Sequence, residues 1–206
     1  MAEIEADDAQ GHLRAELRAH KRERILETAT RLFYEHGYRA TSMESIADEL
    51  SATKPFIYYH FKNKYDILEA IALRVIRMAT ESLLRATNQG GSPVEVVSNM
   101  VRNYAGLVIE EQRIIAVFWR EESNFNEDTR RKILSEQQRF HETLAGVLAQ
   151  GKTAGTFVLD DLQLTSLAIT NLITFTYTWY RRDGVLSSRQ LAEHYVSLVL
   201  RMLGVS

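Results

Sequence analysis

Apolar residues recur along nearly the whole chain at spacings of three and four and hardly ever in strict alternation, so the pattern predicts helices and no sheet. Ile25, Leu26, Ala29, Leu32 and Phe33 form the inward stripe of a helix from about Leu17 to His36, stopped by Gly37. Met43, Ile46, Ala47 and Leu50 form a second stripe of about two turns, and Thr41 with Glu44 three residues later reads as the capping box that starts it. A third helix opens at once. Thr53 serves as its N-cap, Pro55 sits in the first turn where a missing N–H costs nothing, and the helix runs from Lys54 to about Phe61. Ile57 and Phe61, four apart, bury together and leave Lys54, Phe56, Tyr58, Tyr59 and His60 over the remaining surface.

Downstream, Asn63 and Asp66 cap a long helix from Lys64 to about Thr87, striped by Ile67, Leu68, Ile71, Val75 and Met78, which would join two domains. The run Asn88 to Pro93 breaks the pattern, and Ser92, Pro93 and Glu95 supply N-cap, N1 proline and capping-box glutamate for the next helix. From there apolar residues continue through Val108 and Ile109 to Ile114, Ile115, Val117, Phe118 and Trp119, before a polar turn over Glu121 to Glu127. Another helix follows from about Asp128 to Gln150, closed by Gly151. Asp160 or Asp161 then caps a helix to about Arg182 that is apolar on nearly every face and must be covered on both sides. Ser187 and Gln190 cap the last, striped by Leu191, Tyr195, Leu198, Val199 and Met202.

Composition narrows the class. The 206 residues contain 45% apolar and 25% charged side chains, ordinary globular values, and no cysteine, which removes disulfides, thiolate catalysis and cysteine zinc sites. The first ten residues are acidic and without an apolar core, so a secretory leader is not expected, and residues 1–16 read as a mobile acidic tail of a cytoplasmic protein. Leu162 to Tyr180 is uncharged but carries eight Gln, Ser, Thr and Asn residues, too many for lipid. The net charge is −2, yet Gly11 to Lys64 holds ten Lys and Arg against seven Asp and Glu, with Arg14, Arg18, Lys21, Arg22 and Arg24 clustered beside the aromatic helix. Gly146 to Thr153 matches the letters of a phosphate-binding loop, but no strand precedes it and it closes a helix built on Phe140, Leu144, Val147 and Leu148. The six histidines are scattered, and no catalytic or metal signature is present.

Two short helices joined by a tight turn, the second rich in aromatic and basic residues, form a helix-turn-helix whose second helix enters the DNA major groove. The run Thr41 to Lys64, TSMESIADELSATKPFIYYHFKNK, resembles the DNA-binding motif of the TetR family, matching at Ile46, Ala47, Tyr58, His60, Phe61, Lys62 and Lys64. Ser51 stands where that family usually has glycine, at a cost of up to about 1 kcal/mol if its backbone is left-handed. The resemblance implies that Tyr58, His60 and Lys64 hold phosphates, with Thr41 and Ser42 also reaching them and Lys62 beside them. It implies too that Thr53, Lys54, Phe56 and Tyr59 meet base edges or thymine methyls. A homodimer assembled through the last two major helices is implied as well, presenting two recognition helices about 34–36 Å apart to a roughly palindromic operator.

The expected architecture is all-α: a three-helix DNA-binding head over residues 17–63 and a six-helix ligand-binding and dimerisation body over residues 64–206. Tyr104, Phe118, Trp119, Phe125, Asn171, Thr174, Phe175, Thr178 and Trp179 are expected to line the middle of that body. Thr178 to Ser187 with Tyr195 further resembles TetR-like repressors that answer to acyl-coenzyme A thioesters. Arg181, with Arg182 or Lys152, would then meet phosphates at the mouth of an apolar tunnel. The function expected is a ligand-responsive repressor without cofactor, metal or membrane partner. Its rivals are a thioester-binding enzyme or carrier and an architectural DNA binder without ligand.

Overall fold

A computed structural model describes the backbone of residues 2–205 and the side chains of residues 11–205. Every helix or strand assigned among them is helical, and the chain divides into two compact units, residues 1–71 and 72–206.

The first unit holds α1 (Ala2–His36), α2 (Met43–Glu49), α3 (Lys54–His60) and the start of α4 (Lys64–Gln89). Its core is the predicted one: Ile25, Ala29, Phe33, Ile46, Ile57 and Phe61 are buried together with Ile67 and Leu68. Helix α1 begins at Ala2 and not near Leu17, so the stretch expected as a tail continues the helix, although the side chains of residues 1–10 lie outside those described. Good helix formers with no proline, and a His12–Glu16 pair one turn apart (3.2 Å), account for the extension. The cap of α2 is also corrected. Ser42 accepts from the Ser45 amide and Ser45 Oγ accepts from the Ser42 amide (both 3.0 Å), a capping box one residue later than the Thr41–Glu44 pairing expected.

The second unit contains the rest of α4, then α5 (Pro93–Glu110), α6 (Gln112–Glu121), a short 3-10 turn (Glu122–Asn124), α7 (Glu127–Thr153), α8 (Leu162–Thr174), α9 (Thr176–Trp179) and α10 (Ser188–Met202). The body thus holds seven described α-helices rather than six, because the run read as one helix to about Arg182 is broken at Phe175; α5 and α6 are separated at Glu111 (φ −103°, ψ 26°). Helix α5 is its centre: Val97, Met100, Val101, Ala105 and Val108 are buried, and α7, α8 and α10 all pack on it. Gly151 does not end α7. A Cβ there would lie 2.1 Å from the Phe157 ring, so this glycine exists for close packing, and the helix ends after Thr153. Gly155 (φ +69°) makes the turn, its N–H bonding Lys152 O (3.0 Å) while the Thr156 N–H bonds Gly151 O (2.9 Å). The letters resembling a phosphate loop therefore lie inside a helix. None of the described helices is long and apolar enough to cross a membrane.

Candidate functional site

Two places carry unusual chemistry, one in each unit. In the first, α2 ends at Leu50 and the chain turns through Ser51, whose φ of +51° is left-handed. The Ser51 N–H bonds Asp48 O (3.0 Å) and the Ala52 N–H bonds Ala47 O (2.9 Å), the paired closure of a Schellman turn. The turn delivers Thr53 as N-cap of α3 with its hydroxyl not engaged in capping. Buried Ile57 and Phe61 hold α3 down, and Tyr58 and Tyr59 project outward, 48% and 67% exposed. Lys54 pairs with Glu44 across the turn (2.9 Å), which raises the lysine's pKa and lowers the glutamate's. Phe56 lies edge-on to His60 (5.1 Å), and Lys62 is exposed. Burial, then the charges of Arg18, Lys21 and Arg22, holds the His60 pKa below the usual histidine range.

Two residues expected at DNA are placed otherwise. Thr41 is buried, its hydroxyl donating to Gly37 O (2.9 Å), and Lys64 Nζ donates to Tyr38 O (2.7 Å) and Thr41 O (2.6 Å) while lying 4.4 Å from the Tyr38 ring centroid. Both fasten the loop between α1 and α2. Ser42 is half-buried as the cap of α2.

In the second unit a cavity of about 140 Å³ lies among five helices. Val75, Ile76 and Ala79 of α4, Tyr104 and Val108 of α5, Ile115, Phe118 and Trp119 of α6, Gln137, Phe140 and His141 of α7, and Leu167, Thr170, Asn171 and Thr174 of α8 are among its lining residues. Its polar groups are ordered by a hydrogen-bond chain. Thr174 donates to Thr170 O (2.7 Å), so its oxygen accepts from the Tyr104 hydroxyl (2.7 Å), and Thr170 donates to Ser166 O (2.8 Å). Burial pushes the Tyr104 pKa up to about 12, so this phenol stays neutral. His141 Nδ1 is buried without a hydrogen-bond partner, and burial holds this ring below the usual histidine range.

Of the residues expected here, Tyr104, Phe118, Trp119, Asn171 and Thr174 come together at the cavity. Phe125, Phe175, Thr178, Trp179 and Arg181 do not line it. Phe125 packs behind Phe118 (5.8 Å); Phe175 and Trp179 are exposed; the Thr178 hydroxyl bonds Phe175 O (2.7 Å); and Arg181 is exposed. Extending one helical phase across the break at Phe175 misplaced the last four, while Phe125 follows the 3-10 turn and packs behind the wall. Gln137 and His141 were missed, although a polar pair four apart beside Phe140 on a striped helix was a readable signal. Arg182 donates to Glu110 O (3.3 Å) and lines a separate open cleft of about 870 Å³ with Arg102, Arg189 and Glu193.

The sequence matches the family described as "Bacterial regulatory proteins, tetR family" over residues 25–71 and the family described as "Tetracyclin repressor-like, C-terminal domain" over residues 90–203. The chain belongs to the TetR family. As a TetR-family regulator it is not an enzyme. It is 25% identical over 197 residues to the HTH-type transcriptional repressor KstR2 of Rhodococcus jostii (strain RHA1), covering 95% of this chain and 94% of that one. Among solved structures, a bacterial regulatory protein in the tetR family from Rhodococcus RHA1 superposes with a TM-score of 0.82 at 25% identity, over 90% of this chain and 98% of the other. AibR in complex with isovaleryl coenzyme A and operator DNA gives a TM-score of 0.77 at 25% identity, over 90% and 100% of the two chains.

Proposed function

We propose that this TetR-family regulator is a homodimeric repressor that leaves a roughly palindromic operator when a small hydrophobic effector, best satisfied by a short acyl-coenzyme A thioester, enters the α4–α8 cavity. The observation that carries the reading is the pairing of opposite chemistries: α3 presents aromatic and cationic groups to solvent, while the body holds a half-open, largely apolar cavity with an ordered hydrogen-bonding wall. In this reading Thr53, Lys54, Phe56 and Tyr59 meet bases, and Tyr58, His60 and Lys62 meet phosphates. Thr41 and Lys64 support the loop behind them.

Size narrows the effector. A cavity of about 140 Å³ holds about five water-sized groups at rest, enough for a short acyl chain. Tyr104, Asn171 and His141 offer that chain a polar end, such as a thioester carbonyl, and the similarity to AibR, whose complex contains isovaleryl coenzyme A, supports the class. Dimerisation is supported by large apolar side chains left outside the cavity and exposed, Leu164 on α8 and Leu198 and Met202 on α10. Coupling is assigned to α4, which gives Lys64 to the head and Ala79 to the cavity wall, so that effector binding biases the head toward a DNA-incompetent state.

Fluorescence anisotropy at two salt concentrations, on DNA from upstream of the coding region and on duplexes selected from random sequence, tests this with and without a series of short to long acyl-coenzyme A thioesters. Tight, salt-sensitive binding reversed by short thioesters is expected, and Tyr58→Phe with His60→Ala should weaken all duplexes alike and flatten the salt dependence. Binding indifferent to every thioester overturns the effector class, and an unchanged double variant overturns the phosphate assignment.

A further inference from the structure

One face of α1 changes character along its length. From Ile25 onward it is apolar and buried, through Ile25, Ala29, Leu32 and Phe33. Continued toward the N-terminus at the same helical spacing, that face carries Arg14, Arg18, Lys21 and Arg22 at i, i+4, i+7 and i+8. Glu16 and Glu23 stand on the opposite side, where Glu16 is already paired with His12. Residues 11–22 are all exposed, so apolar packing does not explain why this stretch stands where it does.

Contacts to the recognition helix do explain it. The Arg22 guanidinium lies 3.9 Å from the Phe61 ring centroid and donates to His60 O (3.0 Å), and the Arg18 guanidinium lies 5.4 Å from the Tyr59 ring centroid. The basic stripe therefore begins at the C-terminal end of α3 and runs away from it, from Arg22 to Arg14, along about 12 Å of exposed helix. Arg14, Arg18 and Lys21, like charges about one turn apart on one face, repel one another, and anions lying between them relieve that repulsion. Burial lowers the His60 pKa most, and the charges of Arg18, Lys21 and Arg22 lower it further. The anions within reach of a helix bound in a DNA groove are the phosphates beside that groove.

We propose that Arg14, Arg18 and Lys21 form a second, sequence-independent DNA contact that takes backbone phosphates outside the base pairs read by α3. The contact rests on the repressor reading above, and it makes the binding site longer than two recognition helices require. The acidic residues Glu3, Glu5, Asp7 and Asp8 precede Gly11 and mark where phosphate affinity would end.

The test uses the full chain and a triple variant, Arg14→Ala, Arg18→Ala and Lys21→Ala, with circular dichroism and melting to verify the fold. The probe is a duplex selected from random-sequence DNA by the wild-type protein, trimmed to its selected core or extended by about one helical turn on each side. The wild type should prefer the extended duplex, and the variant should lose that preference while keeping its base preference. Its slope of log affinity against log salt should fall by about 2 to 3 for each bound chain. A variant that keeps the wild-type slope and length preference overturns the contact and leaves the repressor reading intact. So does equal weakening on both duplexes at an unchanged slope, which would make the stripe a mere support for α3. A wild type that selects no duplex at all sinks the repressor reading, and this contact with it.

Discussion

The two units invert each other. In the head, apolar residues such as Ile57 and Phe61 face inward, and Tyr58, Tyr59 and Lys62 face water. In the body, Tyr104, Thr170, Thr174 and His141 gather around a half-open cavity, and Leu164, Leu198 and Met202 are left outside it. Ordinary folding explains the inward half of the first arrangement and neither half of the second. Apolar side chains left in water and polar groups enclosed without full pairing both lower stability, so each points to a partner that relieves it. In the proposed function those partners are a polyanion for the head, a second apolar surface for the outside of the body and a small molecule for its cavity.

The largest test of that inversion is to charge the outer surface of the body. Leu164→Arg with Leu198→Arg removes two exposed leucines, so each chain should still fold, but sedimentation should show a monomer and operator affinity should fall by about a hundredfold or more. A surviving dimer would place the interface elsewhere. Filling the interior comes next. Ala79→Leu puts an isobutyl group on the cavity wall and should weaken thioester response by about tenfold, the equivalent of an overpacked contact, at unchanged operator affinity. Equal loss of both functions would mean that the cavity is core. A smaller effect belongs to the head alone: Ser51→Gly relieves the left-handed serine at φ +51° and should raise head stability by up to about 1 kcal/mol in chemical denaturation, leaving the body's transition in place.

The smallest effect is in pH. The His60 pKa in the folded chain lies below its value of 6.5 in the unfolded chain, so the unfolded state binds more protons near and below that pH, and head stability present above it is lost as pH falls. Phosphates reverse the local field and raise the same pKa, so DNA binding takes up a proton. Affinity should improve about threefold from pH 8 to pH 6 in the wild type and not in His60→Ala.

Much of this was legible in the sequence where a local rule has a strong chemical signature. The capping boxes at Ser92 with Glu95 and at Ser187 with Gln190 form as read, and the strained backbone at Ser51 follows from a serine at a turn that favours glycine. The errors arise where two residues could do the same work or where tertiary contacts decide. Thr41 and Ser42 both qualify as caps, and the choice fell to Ser42 because the Thr41 hydroxyl is drawn back to Gly37 O. Gly151 carries the signature of a helix stop but is required by Phe157, which lies six residues further on and packs against it. The break at Phe175 involves neither glycine nor proline, so the helical phase was carried past it. That misplaced Phe175, Thr178 and Trp179 relative to the cavity, while residues before the break were placed correctly.

The threonines of α8 give the cavity a mechanical property. Thr165, Thr170 and Thr174 each donate to the carbonyl four residues back, at 2.6, 2.8 and 2.7 Å. Hydroxyls placed this way compete with the backbone amides for the same carbonyls, which loosens the ladder and lets a helix bend. Leu167, Thr170, Asn171 and Thr174 are the α8 part of the cavity lining, so one wall of the cavity is a compliant beam while the α5 wall is anchored in the core, with α7 and α10 packed against it. The resting volume is then a lower bound on what can be held. Swelling would be taken up by curvature of α8, the same helix that carries Leu164 to the outside, so an occupant too long for the cavity would announce itself as a change in the shape of that outer face.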